Sequence, residues 1–179
     1  MLKHDEAVLV IVDIQGKLAS LMHKKEEFYA NVVRMINGAN VLNIPIIWNE
    51  QLPDKLGPTI PDIKDALPGK TPFVKATFSC WGNQDFIKEI ESTGRKKVLL
   101  TGMETHICVY QTAIDLIDAG YEVYLVADAV SSRLPHNIDI GINAMKDHGA
   151  KITSVEMILF EMLQIAQGDQ FKQIIQIVK

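Results

Sequence analysis

Residues 7–12 read Ala-Val-Leu-Val-Ile-Val, an unbroken apolar run that stops at Asp13. A strand wetted on one face alternates apolar and polar side chains, whereas a run without alternation is buried on both faces. Such a strand needs helices above and below it, which points to a parallel sheet with crossover helices. The remaining chain supplies the parts. Further strands are expected at residues 44–48, 72–76, 97–100, 121–127 and 152–154. Helices are expected at 27–42, 84–92, 107–119 and 137–148, with helical sequence again after the sixth strand. Phe28, Val32, Met35, Ile36 and Ala39 carry the helical spacing, and Gly120 and Gly149 fall where two helices should stop. The expected fold class is α/β, a three-layer α/β/α arrangement of Rossmann-like type around a six-stranded parallel sheet.

At 179 residues the chain fits one domain, 1–179, ending in a helix over about 169–178. Phe171, Ile174, Ile175 and Val178 form an apolar stripe there, which favours packing on the chain's own core over contact with another subunit. Residues 52–71 hold Pro53, Pro58, Pro61, Pro68, Gly57 and Gly69 and read as a long irregular excursion, a candidate pocket wall. The net charge of −4 argues against a nucleic-acid partner. Two cysteines are too few for a disulfide framework and fit a reducing compartment. The charged start, Met1-Leu2-Lys3-His4-Asp5-Glu6, does not read as a signal peptide, and no apolar run approaches the roughly 18 residues of a membrane span. A soluble, cytoplasmic protein with no membrane partner is expected.

In sheets of this kind, ligands bind beyond the carboxyl ends of the strands. Asp13 closes the first strand, Lys75 the third, and Cys108 lies in the first turn or so of the helix after the fourth. Alone, each has a bland reading: a turn residue, a solvated charge, a small core thiol. Together at three strand ends they put a carboxylate, an ammonium and a thiol at one sheet edge. A helix N-terminus would lower the thiol pKa from about 8.5. His106 stands two residues before Cys108, too near on a helix to face it as a dyad. Gly69-Lys70-Thr71 resembles the end of a phosphate loop, but Lys64 stands where glycine is required and a strand follows instead of preceding it.

Several stretches resemble a known family across nearly the whole chain. They are Val12-Asp13-Ile14-Gln15, Lys75-Ala76-Thr77-Phe78-Ser79, the segment from Gly102-Met103-Glu104 to Cys108-Val109, and Ala127-Asp128-Ala129-Val130-Ser131-Ser132-Arg133. The chain resembles the isochorismatase-like cysteine hydrolases, in the metal-independent subgroup with Glu-Gln after the second strand, here Trp48-Asn49-Glu50-Gln51. The resemblance implies that Asp13, Lys75 and Cys108 are a catalytic triad cleaving a small amide-like or ester-like bond through a Cys thioester. It implies an oxyanion hole from the backbone N–H groups of Glu104 and Cys108, shaped by a cis peptide between Met103 and Glu104. It further implies a homo-oligomer and no cofactor. Nicotinamidases of the superfamily carry Asp-x-His-x-x-His after the second strand; no His lies between His23 and His106, so no metal is expected. True isochorismatases cleave a vinyl ether without a cysteine nucleophile, so Cys108 points away from that reaction.

Gln15, Glu50, Gln51, Phe78 and Trp81 are candidate substrate contacts, with loop hydrogen bonding equally open for Glu50 and Gln51 and core packing the commoner role for aromatics placed like Phe78 and Trp81. Asp128, Ser132 and Arg133 read as polar groups that hold the loop after the fifth strand, and Cys80 as a spectator. Two alternatives remain: a thiol redox or sensing protein, with Cys80 as resolving partner, and a non-catalytic oligomeric binding protein using the same pocket.

Overall fold

A computed structural model describes residues 1–179. Six strands form one parallel sheet in the order β3-β2-β1-β4-β5-β6. They are β1 (Ala7–Val12), β2 (Ile46–Gln51), β3 (Phe73–Lys75), β4 (Lys97–Met103), β5 (Glu122–Ser131) and β6 (Lys151–Thr153). The helices are α1 (Gly16–Ala19), α2 (Lys25–Val41), α3 (Pro53–Leu56), α4 (Pro61–Asp65), α5 (Gln84–Ser92), α6 (Tyr110–Asp118), α7 (Pro135–Asp147), α8 (Val155–Leu163) and α9 (Gly168–Val178). The strand order makes β1 and β4 the topological switch point, where the chain's two halves wind away from each other and leave a crevice.

The two sides of β1 feed two cores. Leu9 and Ile11 pack with Phe28, Val32, Ile36, Ile158, Leu159 and Ile174 of α2, α8 and α9. Val8, Val10 and Val12 pack with Phe86, Ile90, Ala113, Leu116 and Met145 of α5, α6 and α7. This two-sided burial is what the uninterrupted apolar run requires. Helix starts follow local chemistry. Asn83 Oδ1 accepts from Asp85 N at 2.8 Å to cap α5, Ser154 Oγ accepts from Met157 N at 3.3 Å to cap α8, and prolines open α3, α4 and α7. In α9, Ile174 is fully buried and Gln170 donates to Val41 O at 3.0 Å, so this helix docks on its own core.

Three differences from the sequence expectation shape the site. β2 continues through Asn49, Glu50 and Gln51, and β4 continues to Met103. Residues 52–71 hold two short helices, α3 and α4. The helix after β4 does not open as a regular α-helix: Thr105–Val109 forms a wide π-helical turn before α6 begins. Gly102 allows β4 to run against β1 here. It sits at φ 148°, and a Cβ on it would meet Val12 O at 2.5 Å.

Candidate active site

Asp13 is the first residue past β1, in the left-handed region at φ 55°, which Asp tolerates better than most residues. Lys75, the last residue of β3, is aligned with Gln51 of β2. Its stem spans β2, and its Nζ donates to Asp13 Oδ2 at 2.6 Å, Phe78 O at 2.8 Å and Thr77 O at 3.0 Å. All three ammonium protons are therefore committed. Asp13 is 2% exposed and Lys75 3%. The second carboxylate oxygen, Asp13 Oδ1, is buried without a hydrogen-bond partner.

Cys108 lies inside the wide turn and is 6% exposed. Its Sγ is 3.9 Å from Gln51 Oε1, the outer limit for a thiol donor. Burial pushes the thiol up to about 12, with the Asp13 charge adding to the rise and Lys75 opposing it. This corrects the expectation of a helix-lowered thiol: Cys108 has a carboxylate beside it and no first α-helical turn beneath it. Burial likewise raises the Asp13 carboxyl, against the charge and hydrogen bond of Lys75. Burial thus favours the protonated form of both the thiol and the carboxyl, and Lys75 opposes it at both.

The cis peptide expected between Met103 and Glu104 is absent; every peptide bond is trans. The chain turns instead through a left-handed Glu104 at φ 57°, a conformation costing a non-glycine residue about 1–2 kcal/mol. Glu104 O accepts from Ile107 N at 2.8 Å, while its own N–H finds no acceptor in the chain. The Glu104 carboxylate is buried; Oε1 accepts from Arg133 Nε at 2.6 Å, and Oε2 lies 3.4 Å from His106 Nδ1.

The five candidate contact residues separate. Gln51 stands beside the thiol, its Nε2 donating to Thr77 O at 3.2 Å, which turns Oε1 toward Cys108. Gln15 spends its amide on backbone: Nε2 donates to Gln51 O and Gly57 O, and Oε1 accepts from Gln51 N. Glu50 Oε1 accepts from Thr59 N at 2.6 Å, pinning the 52–71 excursion to β2. Phe78 is 53% exposed beyond Lys75. Trp81 turns away from the strand ends; its ring packs edge-on against Tyr121 at 5.8 Å. Cys80 is fully buried, its thiol pushed up to about 12 by burial, and it is not disulfide-bonded.

Among the polar residues after β4 and β5, Asp128 Oδ1 accepts from Val155 N at 2.9 Å at the start of α8. Ser132 Oγ lies 3.0 Å from His106 Nδ1. The His106 contact with Ser132 was not anticipated, and the Glu104 to Arg133 pair could have been suspected only from two opposite charges flanking the ends of adjacent strands. No group of three or more His, Cys, Asp or Glu side chains is arranged to hold a metal ion. No helix is long and apolar enough to cross a membrane.

The isochorismatase domain family model matches residues 7–157. The chain is 34% identical over 182 aligned residues to the secreted isochorismatase effector Isc1 of Phytophthora sojae, covering 97% of this chain and 84% of that protein. A Caenorhabditis elegans structure described as MAR1 ribonuclease superposes with a TM-score of 0.92 at 31% identity, covering 99% of this chain and 91% of the other. YcaC from Pseudomonas aeruginosa, with hexane-2,5-diol and covalent acrylamide, superposes with a TM-score of 0.91 at 27% identity, covering 98% and 90%.

Proposed function

The chain belongs to the isochorismatase family, and from that premise we propose that it is a cysteine hydrolase cleaving a small amide-like or ester-like bond through a Cys108 thioester. One observation carries the reading: a buried Asp13 with one oxygen held by Lys75 at 2.6 Å and the other without a hydrogen-bond partner, in a site that also buries the Cys108 thiol. A thiol with its pKa raised to about 12 is a poor nucleophile at neutral pH. It needs a base in contact at the moment of attack.

The steps then follow. Asp13 Oδ1 takes the Cys108 proton as Sγ bonds to the carbonyl carbon. The oxygen becomes an oxyanion, held by the backbone N–H groups of Glu104 and Cys108. The intermediate collapses, the C–N or C–O bond breaks, and Asp13 returns the proton to the leaving group. Water then adds to the thioester, giving its proton to Asp13; the C–S bond breaks and the thiol is reprotonated. Lys75 holds Asp13 in place throughout, and its charge opposes, without outweighing, the desolvation that raises the carboxyl. Gln51 presents an acceptor beside the reacting centre. Gln15 and Glu50 act as framework, since their polar atoms are spent on the neighbouring loop.

The covalent acrylamide in the Pseudomonas aeruginosa relative supports this reading, because acrylamide is an electrophile that a reactive thiol captures. The ribonuclease name belongs to the Caenorhabditis elegans protein. At this site Lys75 is bound to Asp13 and Arg133 to Glu104, which leaves little positive charge for a phosphate backbone. A homo-oligomer and a reducing, cytoplasmic setting belong to the same proposal; light scattering tests the first. The function itself is tested with a panel of primary amides and esters, scored for ammonia or alcohol release and for an acyl mass on Cys108. RNA serves as the contrasting substrate. Release from small molecules with a Cys108 adduct supports the reading; cleavage of RNA alone overturns it.

A further inference from the structure

The nucleophile turn is also held by side chains that the reaction above does not use. Glu104 is left-handed at φ 57°, and its side chain is only 6% exposed. Its carboxylate has a single hydrogen-bonded partner, Arg133 Nε at 2.6 Å, from the segment just past β5. Oε2 makes no hydrogen bond and lies 3.4 Å from His106 Nδ1. Asn137 Nδ2 sits 3.3 Å from His106 Nε2, and His106 Nδ1 lies 3.0 Å from Ser132 Oγ. Arg133 is half exposed, so it is the outermost member of a chain that runs inward to the backbone at Glu104.

A strained backbone residue keeps its conformation only where its surroundings over-determine it. Glu104 is anchored at its carbonyl by Ile107 N and at its carboxylate by Arg133, while its N–H stays free. We propose that Arg133 is a positioning residue for the oxyanion hole, holding the Glu104 carboxylate and through it the left-handed backbone that aims the Glu104 N–H. This rests on the cysteine-hydrolase reading. Arg133 touches neither thiol nor base, so its loss misplaces the oxyanion donor and leaves the proton chemistry of Asp13 and Cys108 in place. The geometric tolerance of such donors is small, since misplacement on the order of 1 Å costs about 100-fold.

Two reagents separate these effects on the full-length protein. p-Nitrophenyl acetate acylates through a tetrahedral oxyanion: the S–C bond forms, the ester C–O bond breaks and p-nitrophenolate leaves. Iodoacetamide alkylates the same sulfur by displacing iodide, with no oxyanion. Arg133→Gln should slow acylation of Cys108 by about 100-fold and leave alkylation within about twofold. Arg133→Lys, which keeps the charge without the guanidinium fork, should fall between and guards against a Gln variant that fails to fold. Acylation and alkylation falling together, or neither changing, overturns the positioning role. Failure of the parent protein to acylate at Cys108, or equal acylation of Cys108→Ala, overturns the hydrolase reading beneath it.

Discussion

Lys75 and Asp13 come from strands that do not pair, β3 and β1, yet their charged atoms lie 2.6 Å apart across the end of β2. Both are almost fully buried, so each is the other's main compensation for lost water. Lys75→Met keeps the stem and removes the charge. It should destabilise the fold by about 3–5 kcal/mol, because a buried carboxylate is left unpaired. Urea unfolding measures this; an unchanged midpoint would mean that the pair is not the buried contact it looks like.

Asp13 works as a base only when ionised, so activity should fall on the acid side as it protonates. Burial raises its pKa, and the Glu50 charge raises it further. Glu50→Gln removes that charge while keeping an oxygen for Thr59 N. The acid limb of the rate profile should therefore move to lower pH. A limb that stays or moves upward would show that Glu50 does not act on Asp13.

The two buried thiols, Cys80 and Cys108, have ordinary values of 9.0 and folded values of about 12. A raised folded pKa gives stability that is complete below the unfolded value and lost as pH rises through the folded one. Stability should therefore decline between about pH 9 and 12, by up to about 1.4 kcal/mol per pH unit for each thiol. Cys108→Ser should make the slope shallower by one proton. Denaturant titrations across that range measure it, and parallel slopes in parent and variant would contradict the assignment.

Gly141 of α7 lies against the nucleophile turn: a Cβ there would meet the Thr105 carbonyl carbon and oxygen at 2.9 Å and His106 Cα at 3.0 Å. All three are backbone atoms, so the turn itself must move. Elsewhere in a helix Gly→Ala gains about 1 kcal/mol, but here overpacking should outweigh that gain and cost about 1–3 kcal/mol. Acylation of Cys108 should fall by about 10- to 100-fold. A stabilised, fully reactive Gly141→Ala protein would show that α7 does not seat the turn.

Much of this was legible in the sequence because apolar runs ended in reactive residues. The residues 7–12 run gave β1 with its bounds and required helices on both faces, and residues 84–92 gave α5. The polar end of β2 was hidden because Asn49, Glu50 and Gln51 look like loop. They stay in the strand because neighbours satisfy them: Asn49 donates to Ile11 O, Glu50 accepts from Thr59 N, and Gln15 brackets the Gln51 backbone. The wide turn at Thr105–Val109 was invisible, since apolar spacing does not distinguish one extra residue per turn; the rise of the Cys108 thiol comes from tertiary burial and the Asp13 charge, which the local sequence does not show. For Trp81 the sequence leaves pocket lining and packing both open; the short turn Cys80–Gly82 carries its ring against Tyr121.

The central claim is that Cys108 is the nucleophile, and one experiment meets it directly: p-nitrophenyl acetate with the parent and Cys108→Ala proteins, read by p-nitrophenolate release and by peptide mass. The parent should release a burst and carry an acetyl group on the peptide containing Cys108. The variant should unfold at a similar midpoint, carry no adduct and release product more slowly by about 10⁴-fold. An acetyl group on another residue, or a variant as fast as the parent, would contradict the account.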